Sequence, residues 1–258
     1  MKKILFKLLK YPLAKCLKLL SSSGRVNLIS EIIGLAVSDL SPRDSLELLL
    51  DLDNRLYARQ SKAARDYGDG IHPKHRHLNY HQFFINHVNS GERVLDIGSG
   101  MGVMAYDMAV KVPDLKVVGL EMNGTYLEYA RQHYHHPNLT FTRGDVLEGF
   151  PDQEFDVVTF SNVLEHLEQR VQLLKKVVSQ IKPKRIIIRV PLFERDWRVP
   201  LKKEIGVDYR LDPTHHIEYT QEGFLEEIRE AGLKVVHLEI RWGEIWAIAE
   251  ISNSQDSL

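Results

Sequence analysis

The stretch VLDIGSGMG, residues 94–102, indicates the fold, because an apolar segment runs directly into a loop that contains three glycines. Gly98, Gly100 and Gly102 alternate with other residues, and a helix-like segment follows over residues 102–111. A strand, a glycine loop and a helix in this order create a nucleotide-binding site at the carboxyl edge of a parallel sheet. An acidic residue, Asp96, lies two positions before the first glycine.

The position of Asp96 favours a cationic ligand over a dinucleotide. The dinucleotide fingerprint G-x-G-x-x-G would place a third glycine at position 103, where this chain has Val103. A pyrophosphate beside Asp96 would meet a like charge, whereas S-adenosylmethionine (SAM) carries an ammonium and a sulfonium group. We therefore expect SAM, with Asp96 organising its amino-acid end and the glycines allowing close approach. A nicotinamide-dependent oxidoreductase is disfavoured.

The chain beyond residue 92 alternates between strand-like and helix-like segments, which is typical of parallel strands with crossover helices. The predicted strands cover 93–97, 116–121, 139–143, 155–160 and 185–190, and the predicted helices cover 102–111, 124–134, 168–181 and 221–231. The last segment, LKVVHLEIRWGEIWAIAEI, indicates two strands joined near Trp242 and Gly243. The expected fold class is α/β: a doubly wound, mostly parallel seven-stranded sheet with an antiparallel last hairpin, plus an N-terminal helical extension.

Three further motifs follow at regular distances. Glu121 ends the second strand, GDV occupies 144–146 after the third, and FDVV begins the fourth at 155. In this order the motifs resemble the class I SAM-dependent methyltransferases, in particular the methyltransferase type 11 and ubiquinone-type O-methyltransferase group, over about residues 92–251. The resemblance implies SAM contacts at Asp96, Gly98, Gly100, Glu121, Met122, Asp145, Val146 and Ser161.

Two polar clusters are the candidates for the chemistry. NVLEH places Asn162, Glu165 and His166 on one face if the segment is helical, and DPTHHIEYT at 212–220 supplies His215. The first cluster resembles the E-x-x-E-H of ubiquinone-type O-methyltransferases and small-RNA 2′-O-methyltransferases, which bind Mg²⁺ through it, although they have Glu where this chain has Asn162. The small-RNA enzymes add a histidine from an H-x-x-E-aromatic-T segment, which His215 matches. Three alternatives remain open. Either Mg²⁺ is held by these four residues, or His166, His215 and Glu165 act without metal through a histidine base, or Glu165 caps amides and the histidines line the pocket.

The chain divides by pattern into four segments. Residues 1–66 form a helical extension with a basic amphipathic helix over 1–20, kinked or broken at Pro12, and a second helix starting at Ser41 and Pro42. Residues 67–92, the lead-in segment, are expected to border the cofactor cleft. The methyltransferase domain covers 93–251, with a cap segment over 191–220, and a tail covers 252–258. The cap offers Trp197, Arg198, Tyr209 and Arg210 to a polar acceptor such as a sugar, unless it is surface filler.

Charge is unevenly distributed along the chain. Residues 1–30 contain seven Lys or Arg and no acid, while the remainder contains 27 basic and 35 acidic residues. The helix over 1–20 therefore either lies on an anionic membrane surface or packs its leucines on the protein's own body. The acidic main body offers no footprint for DNA. One cysteine, Cys16, excludes an internal disulfide and suits the cytoplasm, with a peripheral position at the inner face of the membrane as the alternative.

The expected function is a SAM-dependent methyltransferase that O-methylates a small molecule, a glycan or a lipid-linked intermediate. RNA 2′-O-methylation is one alternative, against which the acidic main body argues. The other alternative is a catalytically silent protein that binds SAM without turnover.

Overall fold

The computed structural model describes residues 2–68 and 72–252, with side chains from residue 11 onward. The three residues 69–71 of the lead-in segment and 253–258 of the predicted tail lie outside the described residues. Contacts divide the chain into two compact units. The first comprises the chain up to Ala58 together with Ile205–Val207, and the second comprises Arg59–Glu204 and the chain from Asp208.

Three helices open the chain: α1 (Lys2–Leu19), α2 (Ser22–Val37) and α3 (Pro42–Tyr67). Ser41 begins α3 as predicted, because its Oγ accepts a hydrogen bond from the Asp44 N–H at 3.2 Å. The helix is not broken at Pro12, because α1 continues through it to Leu19 and proline removes only one amide donor from the ladder. The other alternative, a kink at Pro12, stays a prediction. No helix among the described residues combines the length and hydropathy needed to cross a membrane.

The second unit is built on a seven-stranded sheet with the order β3-β2-β1-β4-β5-β7-β6. The first five strands pair in parallel, and β7 pairs antiparallel with both β5 and β6. This arrangement confirms the expected fold class. The strands are β1 (Arg93–Ile97), β2 (Lys116–Glu121), β3 (Leu139–Arg143), β4 (Val157–Ser161), β5 (Arg185–Pro191), β6 (Leu233–Arg241) and β7 (Glu244–Ile251).

Helices connect these strands. They are α4 (Lys74–Leu78), α5 (Tyr80–Asn86), α6 (Val103–Lys111), α7 (Gly124–His133), α8 (Arg170–Lys176), α9 (Arg198–Ile205) and α10 (Gln221–Glu230). The helix predicted over 168–181 is shorter as an α-helix, because a π-helical turn over Val177–Ile181 continues α8. The strand predicted over 155–160 starts at Val157, although Phe155 before it is buried in the core. The cap segment contains a helix, α9, that the sequence pattern did not predict.

The core consists of two apolar layers, one on each face of the sheet. Successive residues alternate between them: Val94 packs in one layer and Leu95 in the other, and Val157 and Val158 divide in the same way. The central strands are buried on both faces, as expected for a parallel sheet covered by helices. A buried polar side chain interrupts each of the two adjacent strands β1 and β4: Asp96 and Thr159 are opposite each other in the strand register.

Candidate active site

The candidate site lies where the strand order reverses. Strand β1 has β2 on one side and β4 on the other, so the connections from these strands leave a crevice at their carboxyl ends. The glycine loop follows β1, and Asn162 and Glu165 follow β4. The sheet therefore brings together the two groups of residues that the sequence singles out.

The glycine loop is held by backbone and carboxylate contacts. Gly98 N and Ser99 N donate to the Leu120 carbonyl at 2.9 and 3.1 Å, and Gly100 N donates to Glu121 Oε2 at 2.8 Å. The other carboxylate oxygen of Glu121 accepts from Asn123 N at 2.7 Å. Glu121 thus braces the loop and the start of α7. Sequence reasoning assigned it to the ribose of SAM, which stays a prediction.

The three positions of the loop are occupied by glycine for different structural reasons. All three have positive φ, at 67°, 55° and 86°. A Cβ on Gly98 would lie 2.6 Å from Val163 Cγ2, and a Cβ on Gly102 would lie 2.6 Å from Phe141 Cζ. A Cβ on Gly100 would meet nothing within 4 Å. Two glycines therefore serve close packing, and Gly100 is the position whose open side can admit a ligand.

Asp96 is a buried carboxyl group with one free oxygen. Its Oδ1 accepts a hydrogen bond from Thr159 Oγ1 at 2.7 Å, and its Oδ2 has no hydrogen-bond partner within the described part of the chain. Burial and the nearby Glu121 together raise the pKa of Asp96 to about 7, although the hydrogen bond from Thr159 lowers it. An unpaired buried carboxylate oxygen fits a ligand that brings a positive charge, such as the ammonium of SAM.

The remaining predicted SAM contacts follow successive strands. Met122 after β2 is exposed, Val146 after β3 is buried, and Ser161 ends β4. Asp145 Oδ1 accepts a hydrogen bond from the Leu147 N–H at 2.9 Å, which leaves its second oxygen for a ligand. These residues lie at the carboxyl ends of neighbouring strands, as a nucleotide site requires. Their contacts with SAM stay predictions.

The two polar clusters meet in space. Ligand atoms of Glu165, His166 and His215 all lie within 4.8 Å of one another, and the two imidazole rings are 4.6 Å apart in an edge-to-face arrangement. Glu165 is fully buried, and neither of its carboxylate oxygens has a hydrogen-bond partner among the described residues. The alternative in which Glu165 caps nearby amides therefore finds no support in these contacts.

Each histidine of the cluster is oriented through its Nδ1 atom. His166 Nδ1 is 2.9 Å from Thr214 Oγ1, and His215 Nδ1 is 2.8 Å from Glu218 Oε1. Both Nε2 atoms are left for a ligand, which is the arrangement that metal-binding histidines use. Three residues that could hold a divalent cation are therefore present and oriented.

The protonation of the cluster depends on its burial. Burial, with smaller contributions from the carboxylates of Glu218 and Glu244, raises the pKa of Glu165 to about 8, although Arg189 lowers it. Burial and the neighbouring His215 lower the pKa of His166, so its imidazole is neutral at pH 7. A neutral imidazole can bind a cation or accept a proton.

The helical condition attached to one geometric expectation is not met. Asn162, Glu165 and His166 do not share a face of an α-helix, because Asn162 has a left-handed backbone with φ of 55° and only Leu164–His166 form a single 3₁₀ turn. The cluster forms by another route, in which His216 N donates to the Glu165 carbonyl at 2.8 Å and so brings the cap segment back to β4. Asn162 Oδ1 is also buried, with no hydrogen-bond partner in the described ranges.

Sequence reasoning missed a buried arginine behind the site. Arg189 on β5 forms two 2.6 Å hydrogen bonds to the carboxylate of Glu244 on β7 and donates to Ser161 Oγ at 3.2 Å. Its guanidinium lies 3.8 Å from the centre of the Tyr80 ring on α5. The available signal was an arginine within the apolar strand RIIIRVP. Because a charged side chain is rarely buried without a partner, its position indicates a buried carboxylate nearby.

The lead-in and cap segments use several of their polar residues internally. His81 Nδ1 is 2.7 Å from Asp107 Oδ2, which ties α5 to α6. In the cap, the guanidinium of Arg198 pairs with Asp196, and that of Arg210 pairs with Asp208. Trp197 remains largely exposed. Of the residues expected to face a polar acceptor, the two arginines are thus already engaged with carboxylates.

Comparisons with known proteins agree with this architecture. A family model described as a methyltransferase domain matches residues 88–232, which is more than half of the chain. The ubiquinone biosynthesis O-methyltransferase of Acinetobacter baylyi is 31% identical over 157 residues, covering 57% of this chain and 65% of that protein. The chain spans less than two thirds of the length of the first curated relatives it matches.

Solved structures show the same fold. The small RNA methyltransferase HEN1 matches with a TM-score of 0.57 and 21% identity, covering 68% of this chain and 25% of that one. Magnesium protoporphyrin IX methyltransferase from Synechocystis, solved with bound SAH, matches with a TM-score of 0.55 and 16% identity over 68% of this chain and 84% of that one. At such identities the likeness concerns the fold alone. From the family match and the strand order, this chain belongs to the methyltransferase domain family and has the seven-stranded fold of the class I enzymes that use SAM.

Proposed function

We propose that this protein transfers a methyl group from SAM to a hydroxyl oxygen of a small molecule, a glycan or a lipid-linked acceptor. The observation that carries the proposal is the Glu165, His166 and His215 cluster beside the end of β4. The relative named ubiquinone biosynthesis O-methyltransferase supports a hydroxyl on a small molecule as acceptor. The acidic main body disfavours RNA as the alternative.

The residues of the cleft fit SAM. The free Oδ2 of Asp96 would receive its ammonium, the open side of Gly100 would admit it against the backbone, and Glu121 would accept hydrogen bonds from the ribose. When bound, SAM supplies a methyl group already activated on a sulfonium. The protein then has two tasks: to align the acceptor and to remove its hydroxyl proton.

We assign the second task to the buried cluster. Glu165, His166 and His215 fit a divalent cation, because they offer one carboxylate and two imidazoles with ligand atoms within 4.8 Å of one another. Such a cation lowers the pKa of a hydroxyl bound to it. It would also give the unpartnered carboxylate of Glu165 an opposite charge, which offsets the cost of burying it. In the metal-free alternative, His166, neutral at pH 7, would instead use its remaining ring nitrogen to take the hydroxyl proton.

A labelled-methyl transfer assay tests the proposal. The protein is incubated with methyl-labelled SAM and fractionated cell extract, and the product is identified by mass spectrometry. His166→Ala and His215→Ala should each lower turnover by roughly 10²–10⁴-fold, the scale of a lost acid–base group, while SAM affinity stays unchanged. His216→Ala is the matched control, because that neighbouring imidazole is exposed and outside the cluster.

Chelation separates the cation from a metal-free base. EDTA should abolish turnover, and Mg²⁺ or Mn²⁺ should restore it. Full activity in EDTA, combined with a loss in both histidine variants, would assign the proton to a histidine alone. Wild-type turnover in both variants would remove the cluster from the chemistry. Tight SAM binding with no labelled product from any fraction would support a silent SAM-binding protein.

A further inference from the structure

The N-terminal helices expose an unusually apolar surface. No side chain between residues 11 and 49 is buried, although half of the 16 residues of α2 are apolar. Val26, Ile29, Ile32 and Leu35 recur every third residue along α2, and each is exposed by 46% or more. These four residues spread over about half of the circumference of α2, and we call them the N-terminal apolar surface.

Single exposed leucines are common on protein surfaces. A helix in which half of the residues are apolar and none is buried is unusual. Tertiary packing normally supplies most of the stability of a helix in a protein. The helix α2 obtains none of it from a buried side chain among the described residues. Exposed apolar patches of this kind mark a surface that another body covers.

Charge identifies the covering body. Residues 1–30 contain seven basic residues and no acid, and Lys15, Lys18 and Arg25 are exposed; α2 carries one exposed acid, Glu31. A second copy of the chain would bring the same positive charges against them. Nucleic acid would neutralise the lysines but would leave the aliphatic side chains in water. An anionic lipid surface satisfies both, because its headgroups attract the lysines while its acyl boundary receives Val, Ile and Leu.

We propose that α1 and α2 bind the surface of a bilayer that contains anionic phospholipid, lying in the interfacial plane without crossing it. The proposal concerns the N-terminal helices alone and is independent of the methyl-transfer chemistry. Binding of this kind weakens as salt rises, because the electrostatic part decays over about 8 Å at physiological ionic strength. The apolar part remains at high salt.

Vesicle sedimentation of the full chain tests this. The vesicles are phosphatidylcholine alone, or phosphatidylcholine with about one third phosphatidylglycerol, whose negative surface attracts basic segments. The protein should sediment with the anionic vesicles and stay in the supernatant with the neutral ones. Raising the salt from about 0.05 M to about 0.5 M should lower the bound fraction without abolishing it.

Two variants separate charge from apolar contact. Lys15→Glu with Lys18→Glu should lower the partition coefficient at least tenfold, since each lysine near an anionic surface contributes roughly fivefold. Val26→Ser with Ile29→Ser should lower it at low and high salt alike. The matched controls are Lys116→Glu and Val110→Ser, an exposed lysine and an exposed valine of the second unit, and they should bind as the wild type does.

SAM affinity, measured on every variant, reports that the main domain is intact. The proposal would be overturned if the wild type did not sediment with anionic vesicles. It would also be overturned if both N-terminal variants bound these vesicles as well as the wild type does. Analytical ultracentrifugation examines the competing occupant. A dimer that the Val26→Ser, Ile29→Ser variant disrupts, together with no vesicle binding, would assign the surface to a second copy of the chain.

Discussion

Asp96 and Glu165 are buried carboxyl groups at the ends of neighbouring strands, and burial raises the pKa of both. Each has an oxygen without a hydrogen-bond partner in the part of the chain that the structure describes. A buried polar atom without a hydrogen-bond partner costs free energy, so its presence in a folded protein has to be explained. Positive charge brought by a ligand supplies one: an ammonium for Asp96 and a divalent cation for Glu165.

We predict that SAM binding depends on pH through Asp96. The pKa of this carboxyl is about 7 in the free protein, and a bound ammonium lowers it, so binding releases a proton near neutral pH. Affinity should fall up to about tenfold for each pH unit below 7 and level off above it. Calorimetry in two buffers of different ionisation enthalpy measures the released proton.

Asp96→Asn is the control for this effect. The amide cannot ionise, so the variant should bind SAM more weakly at pH 8 and lose the dependence on pH. Equal wild-type affinity at pH 6 and pH 8 with no proton release would show that Asp96 does not face the ammonium.

The backbone conformation at position 162 explains why this residue is an asparagine. Its φ of 55° lies in the left-handed region, which Asn and Asp tolerate better than other side chains. We predict that Asn162→Glu, which restores the acid found in the similar Mg²⁺-binding enzymes, tightens Mn²⁺ binding while lowering stability by about 1–2 kcal/mol. Thermal unfolding without metal and calorimetry with Mn²⁺ measure the two effects separately.

Asn162→Asp separates charge from backbone strain. It adds the same charge and keeps a side chain that tolerates this conformation, so it should tighten Mn²⁺ binding at a smaller loss of stability. If neither acid changes the affinity for Mn²⁺, Asn162 lies outside any cation site.

At the scale of elements, the strands were predictable because each is a continuous apolar run between turn residues. The bounds of β1, β2 and β3 agree with the prediction residue for residue. The π-helical turn after α8 and the left-handed turn at Asn162 were not predictable, because they depend on contacts with distant parts of the chain. The sequence therefore identified the residues of the cluster, but the helical arrangement on which their shared face depended does not form.

The glycine loop shows how one motif serves two purposes. We predict that Gly102→Ala destabilises the fold by about 2–5 kcal/mol, because it adds left-handed strain to a 2.6 Å overlap with Phe141. Gly100→Ala should cost only the strain, about 1–2 kcal/mol, yet weaken SAM binding, because its methyl group occupies the open side of the loop. Urea denaturation and calorimetry separate the outcomes. A normal SAM affinity in Gly100→Ala would place the ligand elsewhere.

Across the whole second unit, Arg189 links elements that are far apart in sequence. It lies on β5, its carboxylate partner Glu244 begins β7, Ser161 ends β4, and Tyr80 comes from the lead-in segment. Trp246 Nε1 also donates to Glu244 at 2.9 Å. Strand composition could not predict this network, because it depends on the register of β5 against β7, which pairs residues 55 positions apart in the sequence.

We predict strong energetic coupling between Arg189 and Glu244. Removing one member of a buried ion pair leaves the other charge unpaired, so Arg189→Met and Glu244→Gln should each destabilise the fold by about 3–5 kcal/mol. The glutamine keeps an acceptor for Trp246 Nε1. The double variant contains no unpaired charge, so it should lose clearly less than the sum of the single losses. Urea denaturation of the four proteins gives the coupling energy.

The exposed pair Lys175 and Glu230 provides the reference cycle. Its charged atoms are 3.6 Å apart and more than half of each side chain is exposed, so its coupling should stay under about 1 kcal/mol. Additive losses at Arg189 and Glu244 would contradict the prediction. They would mean that each side chain stabilises the sheet through separate contacts, Arg189 through Tyr80 and Ser161, and Glu244 through Trp246. Coupling well above the reference would instead show that one buried pair joins the strand edge carrying the active site to the antiparallel hairpin.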